Sequence, residues 1–210
     1  GFSENLRGLP RQCAHWLAMT AKGLNHMIYL DNSATTKPCP EAVEAITKSL
    51  TEGWGNPSAL YSFGIDTARA LRTARLQVAS ALGAEADRVF FTSGGTEADN
   101  WAVFGTARRY GKKNKHIITT AIEHHAILHC MKELEAQGYE VTCLQPDEQG
   151  RITPDALKAA LRKDTILVSV MMVNNEVGSV MPIAQMAKLV HKLCPDNPGT
   201  RSWPTRKAKS

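Results

Sequence analysis

The sequence predicts an α/β fold, a mostly parallel sheet flanked by helices, on three observations. Helical and extended patterns alternate along the centre of the chain, as they do in βαβ units. Glycine and proline fall at the ends of the helical stretches. The 210 residues, 43% of them hydrophobic, are enough to bury one substantial core.

The elements follow in order. Pro40 starts a helix that runs to about Thr51, and a second helix runs from about Phe63 to Leu82, where Gly83 stops it. Val89–Thr92 reads as a buried strand, followed by a helix over about Glu97–Tyr110 and a strand at His116–Thr120. A helix from about His124 to Gln137 closes at Gly138, and Tyr139–Leu144 is extended. Thr153-Pro154-Asp155 supplies an N-cap with proline in the first turn, opening a helix to about Arg162. Thr165–Val173 is the strongest strand pattern in the chain, and Pro182 opens a last helix to about Leu193.

Two segments stand apart. Residues 1–26 show no sustained periodicity, and Met27, directly before the first organised segment, reads as a native start. Residues 195–210 carry three prolines and four basic residues with little apolar beyond Trp203, so they cannot build a core element. A reading-frame change or fragment boundary is expected near Cys194–Asn197, with a natural tail on a shortened protein as the alternative.

Charge and cysteine content narrow the function. The net charge of +5 belongs to the two ends, where Arg7, Arg11 and Lys22 oppose Glu4, and Arg201, Arg206, Lys207 and Lys209 oppose Asp196. The neutral centre has no basic stripe interleaved with aromatics, so nucleic acid is not an expected partner. No apolar run approaches the ~18–20 residues that cross a bilayer, and no secretory leader pattern is present, so a cytoplasmic protein with no membrane partner is expected. Cys13, Cys39, Cys130, Cys143 and Cys194 form no CxxC pair and read as incidental free thiols.

Three constellations carry chemistry. In Ser93-Gly94-Gly95-Thr96-Glu97 a Gly-Gly turn enters a helix and offers backbone N–H groups, hydroxyls and the positive end of the helix dipole to an anion. A structural turn with Thr96 as N-cap is the alternative. Glu123-His124-His125-Ala126 follows a strand, where ligands of open parallel sheets collect, and an imidazole there could stack on an aromatic cofactor. A zinc site on His125 and His129, spaced i, i+4, and a solvated helix start compete with that reading. Finally, Asn174-Asn175-Glu176 ends the strongest strand in polar groups that need a ligand or one another.

Five blocks, taken together, resemble the class V aminotransferase family and, within it, the cysteine desulfurases of the NifS and IscS type. They are Tyr29-Leu30-Asp31-Asn32-Ser33-Ala34-Thr35-Thr36, Gly55-Asn56-Pro57-Ser58, Ser93-Gly94-Gly95-Thr96-Glu97-Ala98-Asp99-Asn100, Glu123-His124-His125 and Val173-Asn174-Asn175-Glu176-Val177-Gly178. The resemblance runs from about Met27 to Cys194. It implies part of the large domain of pyridoxal 5'-phosphate (PLP) fold type I, with PLP as cofactor.

The resemblance also implies residue roles. Gly95 and Thr96 would hold the phosphate. His124 would stack on the pyridine ring and take part in proton transfer. Asn175 would bond the phenolic oxygen near the substrate carboxylate, and Ala34 and Thr35 would lie close to substrate. It implies conversion of L-cysteine to L-alanine with sulfur passed to an enzyme persulfide, then to an acceptor protein such as an iron-sulfur scaffold, in a homodimer. No metal ligand is implied.

The family's Schiff-base lysine, in a Ser-x-His-Lys context, and its persulfide cysteine have no counterpart in these 210 residues. Leu189 stands where that serine would precede His191-Lys192. The isolated chain is therefore expected to be inactive. A selenocysteine lyase or another class V PLP enzyme would use the same bed, and a non-catalytic fragment binding a partner or a metal is the reading from another class.

Overall fold

The computed structural model describes residues 28–112 and 115–194, and the chain divides after Glu44 into two compact units. The expectations for residues 1–26 and 195–210 fall outside the described residues, as does Cys13. Helices α1 (Pro40–Thr51), α2 (Ser62–Leu82) and α3 (Gly95–Tyr110) precede strand β1 (His116–Thr120). After it come α4 (His125–Ala136), β2 (Glu140–Leu144), α5 (Pro154–Ala160), β3 (Thr165–Val168) and α6 (Ile183–Leu193).

Local chemistry sets several of these limits. Gly83 ends α2 in the left-handed region at φ 67°, where a side chain would be strained, and the turn closes with Ala84 N–H donating to Ala79 O at 2.9 Å. The Thr153 hydroxyl accepts the Ala156 N–H at 3.1 Å and starts α5, with Pro154 in its first turn. His124 caps α4 in the same way through its ring, with Nδ1 accepting the Ala126 N–H at 3.1 Å.

The sheet is parallel, with order β2-β1-β3, so β1 lies in the middle and all five of its residues are buried. Successive side chains leave it on opposite faces. Ile117 joins Val103, Ala107, Ile127, Cys130, Met131, Leu134 and Ile166 under α3 and α4. Ile118 joins Leu144, Ile152, Leu157, Met181 and Met186 under α5 and α6. This is the helix-flanked parallel sheet that the alternating pattern predicts.

Two expected strands come out differently. Val89–Thr92 has no ladder partner among the described residues, and Phe90 and Phe91 are exposed, so extended backbone alone does not make it a strand. The strand expected over Thr165–Val173 stops at Val168. Ser169 N–H still reaches Ile118 O at 2.9 Å, but the next donor on that edge, Met171 N–H, meets the Glu123 carboxylate at 2.6 Å. A side chain replaces the next rung and the chain leaves the sheet. Residues 172–181 then double back, with Val173 and Val180 forming an antiparallel bridge.

His116 is fully buried and ties all three strands together. Its Nδ1 lies 2.7 Å from the Thr165 hydroxyl and its Nε2 2.9 Å from the Thr142 hydroxyl. Burial, and next the nearby Arg162 charge, hold its pKa below the ordinary 6.5. No helix among the described residues is long and apolar enough to cross a membrane.

The His116 shift has a measurable consequence. The unfolded chain binds a proton near pH 6.5 while the folded one resists it, so this contribution to stability is full above pH 6.5 and declines as the pH falls through the interval below. The expected result is a denaturation midpoint that drops between pH 7 and pH 5, with a shallower drop in His116→Gln. Equal slopes in the two proteins would contradict the assignment.

Candidate functional site

The parallel sheet delivers two loops to one edge. Residues 121–124 leave the carboxyl end of β1 and residues 169–180 leave that of β3, its neighbour, so both emerge where ligands of parallel sheets bind. The first loop carries His124 and the second Asn175. Two side chains join them: Glu123, through Met171 N–H, and Asn174, whose Nδ2 donates to Ile122 O at 3.1 Å.

Asn174 is 6% exposed and saturated with bonds. Its Oδ1 accepts the Glu176 and Val177 N–H groups, each at 2.9 Å, and its backbone pairs with Ser179 O and Gly178 N. Neighbouring Asn175 is exposed, with its Nδ2 donating to Glu176 Oε1 at 3.0 Å. One amide of the pair thus builds the turn while the other stays available at its surface.

His124 is also exposed. Since Nδ1 accepts from the Ala126 amide, the ring proton of the neutral form sits on Nε2, and the first turn of α4 fixes the ring's orientation. Glu123, half-buried, accepts the Thr120 hydroxyl at 3.0 Å as well as the Met171 amide. Burial, its largest influence, holds its carboxyl above the usual range, and Asp99 pushes the same way.

Helix α3 packs against α4 through Val103, Ala107, Ile127 and Cys130, and Asp99 lies in its second turn, close after its start. There Gly94 is the N-cap and Gly95 the first helical residue, so Gly94, and not Thr96, caps the helix. A Cβ built on Gly94 or Gly95 would meet nothing within 4 Å. Neither glycine is demanded by packing, and the backbone stands open to whatever approaches. The first amides of a helix have no carbonyl partner within it, and Thr96 adds a hydroxyl beside them. Glu97 accepts the Ser93 N–H at 2.6 Å, which holds it ionised and closes the turn from behind.

The Gly55-Asn56-Pro57-Ser58 block has a different explanation. Asn56 Oδ1 accepts the Ser58 N–H at 2.9 Å, and a Cβ on Gly64 would strike Ala59 O and approach Asn56 O at 2.8 Å. Close packing accounts for that turn.

Ala34 and Thr35 belong to the first unit, in a turn where Tyr29 Oη donates to Asp31 O and Thr35 O. Gly95, Thr96, His124 and Asn175 all belong to the second. Among the described residues no group of three or more His, Cys, Asp or Glu could hold a metal ion. Burial holds the thiols of Cys130 and Cys194 above their ordinary pKa, and partial desolvation does the same at the exposed Cys143, the opposite of an activated nucleophile. Reading the sequence missed the bracing roles of Glu123 and Asn174. Both sit in the quoted blocks, but only their hydrogen bonds identify what they do.

Comparison with known proteins gives a consistent picture. The family model described as aminotransferase class-V matches residues 28–194. The cysteine desulfurase IscS of Methanosarcina thermophila is 50% identical over 165 residues, which are 79% of this chain and 41% of that protein. A solved NifS-like protein superposes with a TM-score of 0.77 at 36% identity, covering 79% of this chain and 46% of its own. A structure titled SspA in complex with cysteine has a TM-score of 0.75 at 32% identity, with coverage of 78% and 47%. The chain thus spans less than half the length of the relatives it matches.

The glycines at the two turns respond differently to a methyl group. Gly64→Ala must overpack its turn and is expected to destabilise the chain by about 1–3 kcal/mol. Gly95→Ala, facing open space, should stay within about 1 kcal/mol of the parent. Thermal unfolding of both variants checks this, and equal losses would show that Gly95 is also held by packing.

Proposed function

This chain belongs to the class V aminotransferase family, and we propose that it is the amino-terminal half of a PLP-dependent cysteine desulfurase, carrying one side of the cofactor's bed. The observation that carries the reading is the open backbone of Gly94 and Gly95 at the start of a 16-residue helix that packs against the helix capped by His124. Half-identical cysteine desulfurases over the same span support it.

The residues fit the group. The phosphate would be held by the Gly95 and Thr96 amides and the Thr96 hydroxyl, where the helix dipole favours negative charge. The ring would lie against His124, whose Nε2 proton remains available because Nδ1 is engaged by Ala126. Asn175 would offer its amide to the phenolic oxygen and the substrate carboxylate. When bound, PLP supplies an electron sink that acidifies the α-carbon of an amino acid and weakens bonds at the β-carbon.

The substrate in this reading is L-cysteine, and the products are L-alanine and a sulfur atom carried on a thiol to an acceptor such as an iron-sulfur scaffold protein. The catalytic lysine and the sulfur-accepting cysteine are supplied outside the elements described above. A homodimer and a cytoplasmic setting belong to the same proposal, the latter supported by free thiols at Cys39, Cys130 and Cys143.

Two outcomes test the reading. Removing one member of a cooperating catalytic set costs several orders of magnitude, so the 210-residue chain with PLP and L-cysteine should release no alanine above a cofactor-only control. Turnover at the chain's expense would refute the assignment of the missing roles. In a fluorescence titration the chain should prefer PLP to pyridoxal, and Thr96→Ala should weaken PLP about fivefold or more. Equal binding of pyridoxal, with Thr96→Ala unchanged, would reduce the Gly-Gly turn to a structural feature. Borohydride reduction and peptide mapping would separate adventitious attachment at a surface lysine.

A further inference from the structure

The two loops that present His124 and Asn175 have no continuous ladder between them. β3 ends at Val168, the last regular rung is Ser169 N–H to Ile118 O, and beyond it the β1 and β3 chains separate. What spans the opening is side chain. Glu123 Oε1 receives the Thr120 hydroxyl at 3.0 Å and the Met171 amide at 2.6 Å, so a single oxygen bonds the end of β1 to the chain leaving β3. Asn174 makes the second bridge in the opposite direction, from the far loop to Ile122 O. The bridging residues lie directly beside the two presented ones, Glu123 next to His124 and Asn174 next to Asn175.

We infer that Glu123 and Asn174 are positioning residues, a reciprocal brace that sets the His124 ring and the Asn175 amide at a fixed separation so that one flat cofactor can engage both. The inference rests on the PLP reading for the identity of that cofactor. The brace itself rests on the hydrogen bonds alone.

The geometry distinguishes this role from general stabilisation. Asn174 spends its Oδ1 on its own turn, at Glu176 and Val177, and only its Nδ2 on the other loop. Asn174→Asp therefore keeps the turn's acceptor and removes the bridge. Glu123→Gln keeps the acceptor oxygen for Thr120 and Met171, whereas Glu123→Ala removes it.

The test compares the parent chain, Glu123→Ala, Glu123→Gln and Asn174→Asp by amide hydrogen exchange without cofactor and by titration with PLP and with pyridoxal. Glu123→Ala and Asn174→Asp are expected to exchange faster at Met171 and in residues 122–126, with PLP binding weakened about tenfold, the worth of one hydrogen bond. Glu123→Gln should restore both measures to within about twofold of the parent. In Asn174→Asp the Glu176 and Val177 amides should stay protected, which separates lost bracing from a lost turn even if Glu123→Ala fails to fold. Unchanged exchange and affinity in Asn174→Asp would overturn the inference. If the parent does not prefer PLP to pyridoxal, the cofactor reading has failed, and the exchange data still decide whether the brace exists.

Discussion

A single hydrogen bond, from the Met171 amide to the Glu123 carboxylate at 2.6 Å, sets the shape of the chemically interesting end of this protein. Had that amide found a carbonyl of β1, the parallel ladder would have continued and the Asn174–Val177 turn would have been drawn into the sheet. The carboxylate stops the ladder and lets the two chains part while still connected. A crevice at the carboxyl end of a parallel sheet requires that separation. Burial is what makes the arrangement strong, because an acceptor with little water around it rewards its donors more and suffers more from losing them.

The rest of the fold serves as the foundation of that opening. β1 is buried along its whole length, with α3 and α4 against one face and α5 and α6 against the other. His116 fastens the opposite end of the strand by bonding hydroxyls on both neighbours. The sheet is thus pinned at one end by an imidazole and spread at the other by a carboxylate. Residues 121–124 and 169–180 inherit their positions from strands that cannot slide. The same sheet aims α4 so that its cap, His124, presents a fixed ring.

Much of this was legible in the sequence because the deciding physics is local. A glycine that must adopt positive φ ends α2 at Gly83, a threonine hydroxyl starts α5 at Thr153, and β1 is bounded as its apolar and β-branched run suggests. The roles proposed for Gly95, Thr96, His124 and Asn175 come from the resemblance of their blocks to a known family, because backbone amides, an imidazole and a carboxamide each suit several purposes when read alone. The failures share a cause. Val89–Thr92 has strand composition but no ladder partner among the described residues, and Thr165–Val173 has strand composition beyond the point where its partner turns away. Pairing is decided by residues some 50 positions distant, as the contact of Glu123 with Met171 illustrates. Glu123 and Asn174 were invisible as braces for the same reason, since a carboxylate or an amide in a polar loop has no signature until its donors are in place.

The most direct test of the account is a crystal structure of this chain grown with PLP. The account predicts the phosphate within about 3 Å of the Gly95 and Thr96 amides, with the pyridine ring against His124 and its phenolic oxygen facing Asn175. Cofactor density confined to a surface lysine, with the Gly94–Gly95 turn left bare, would contradict it.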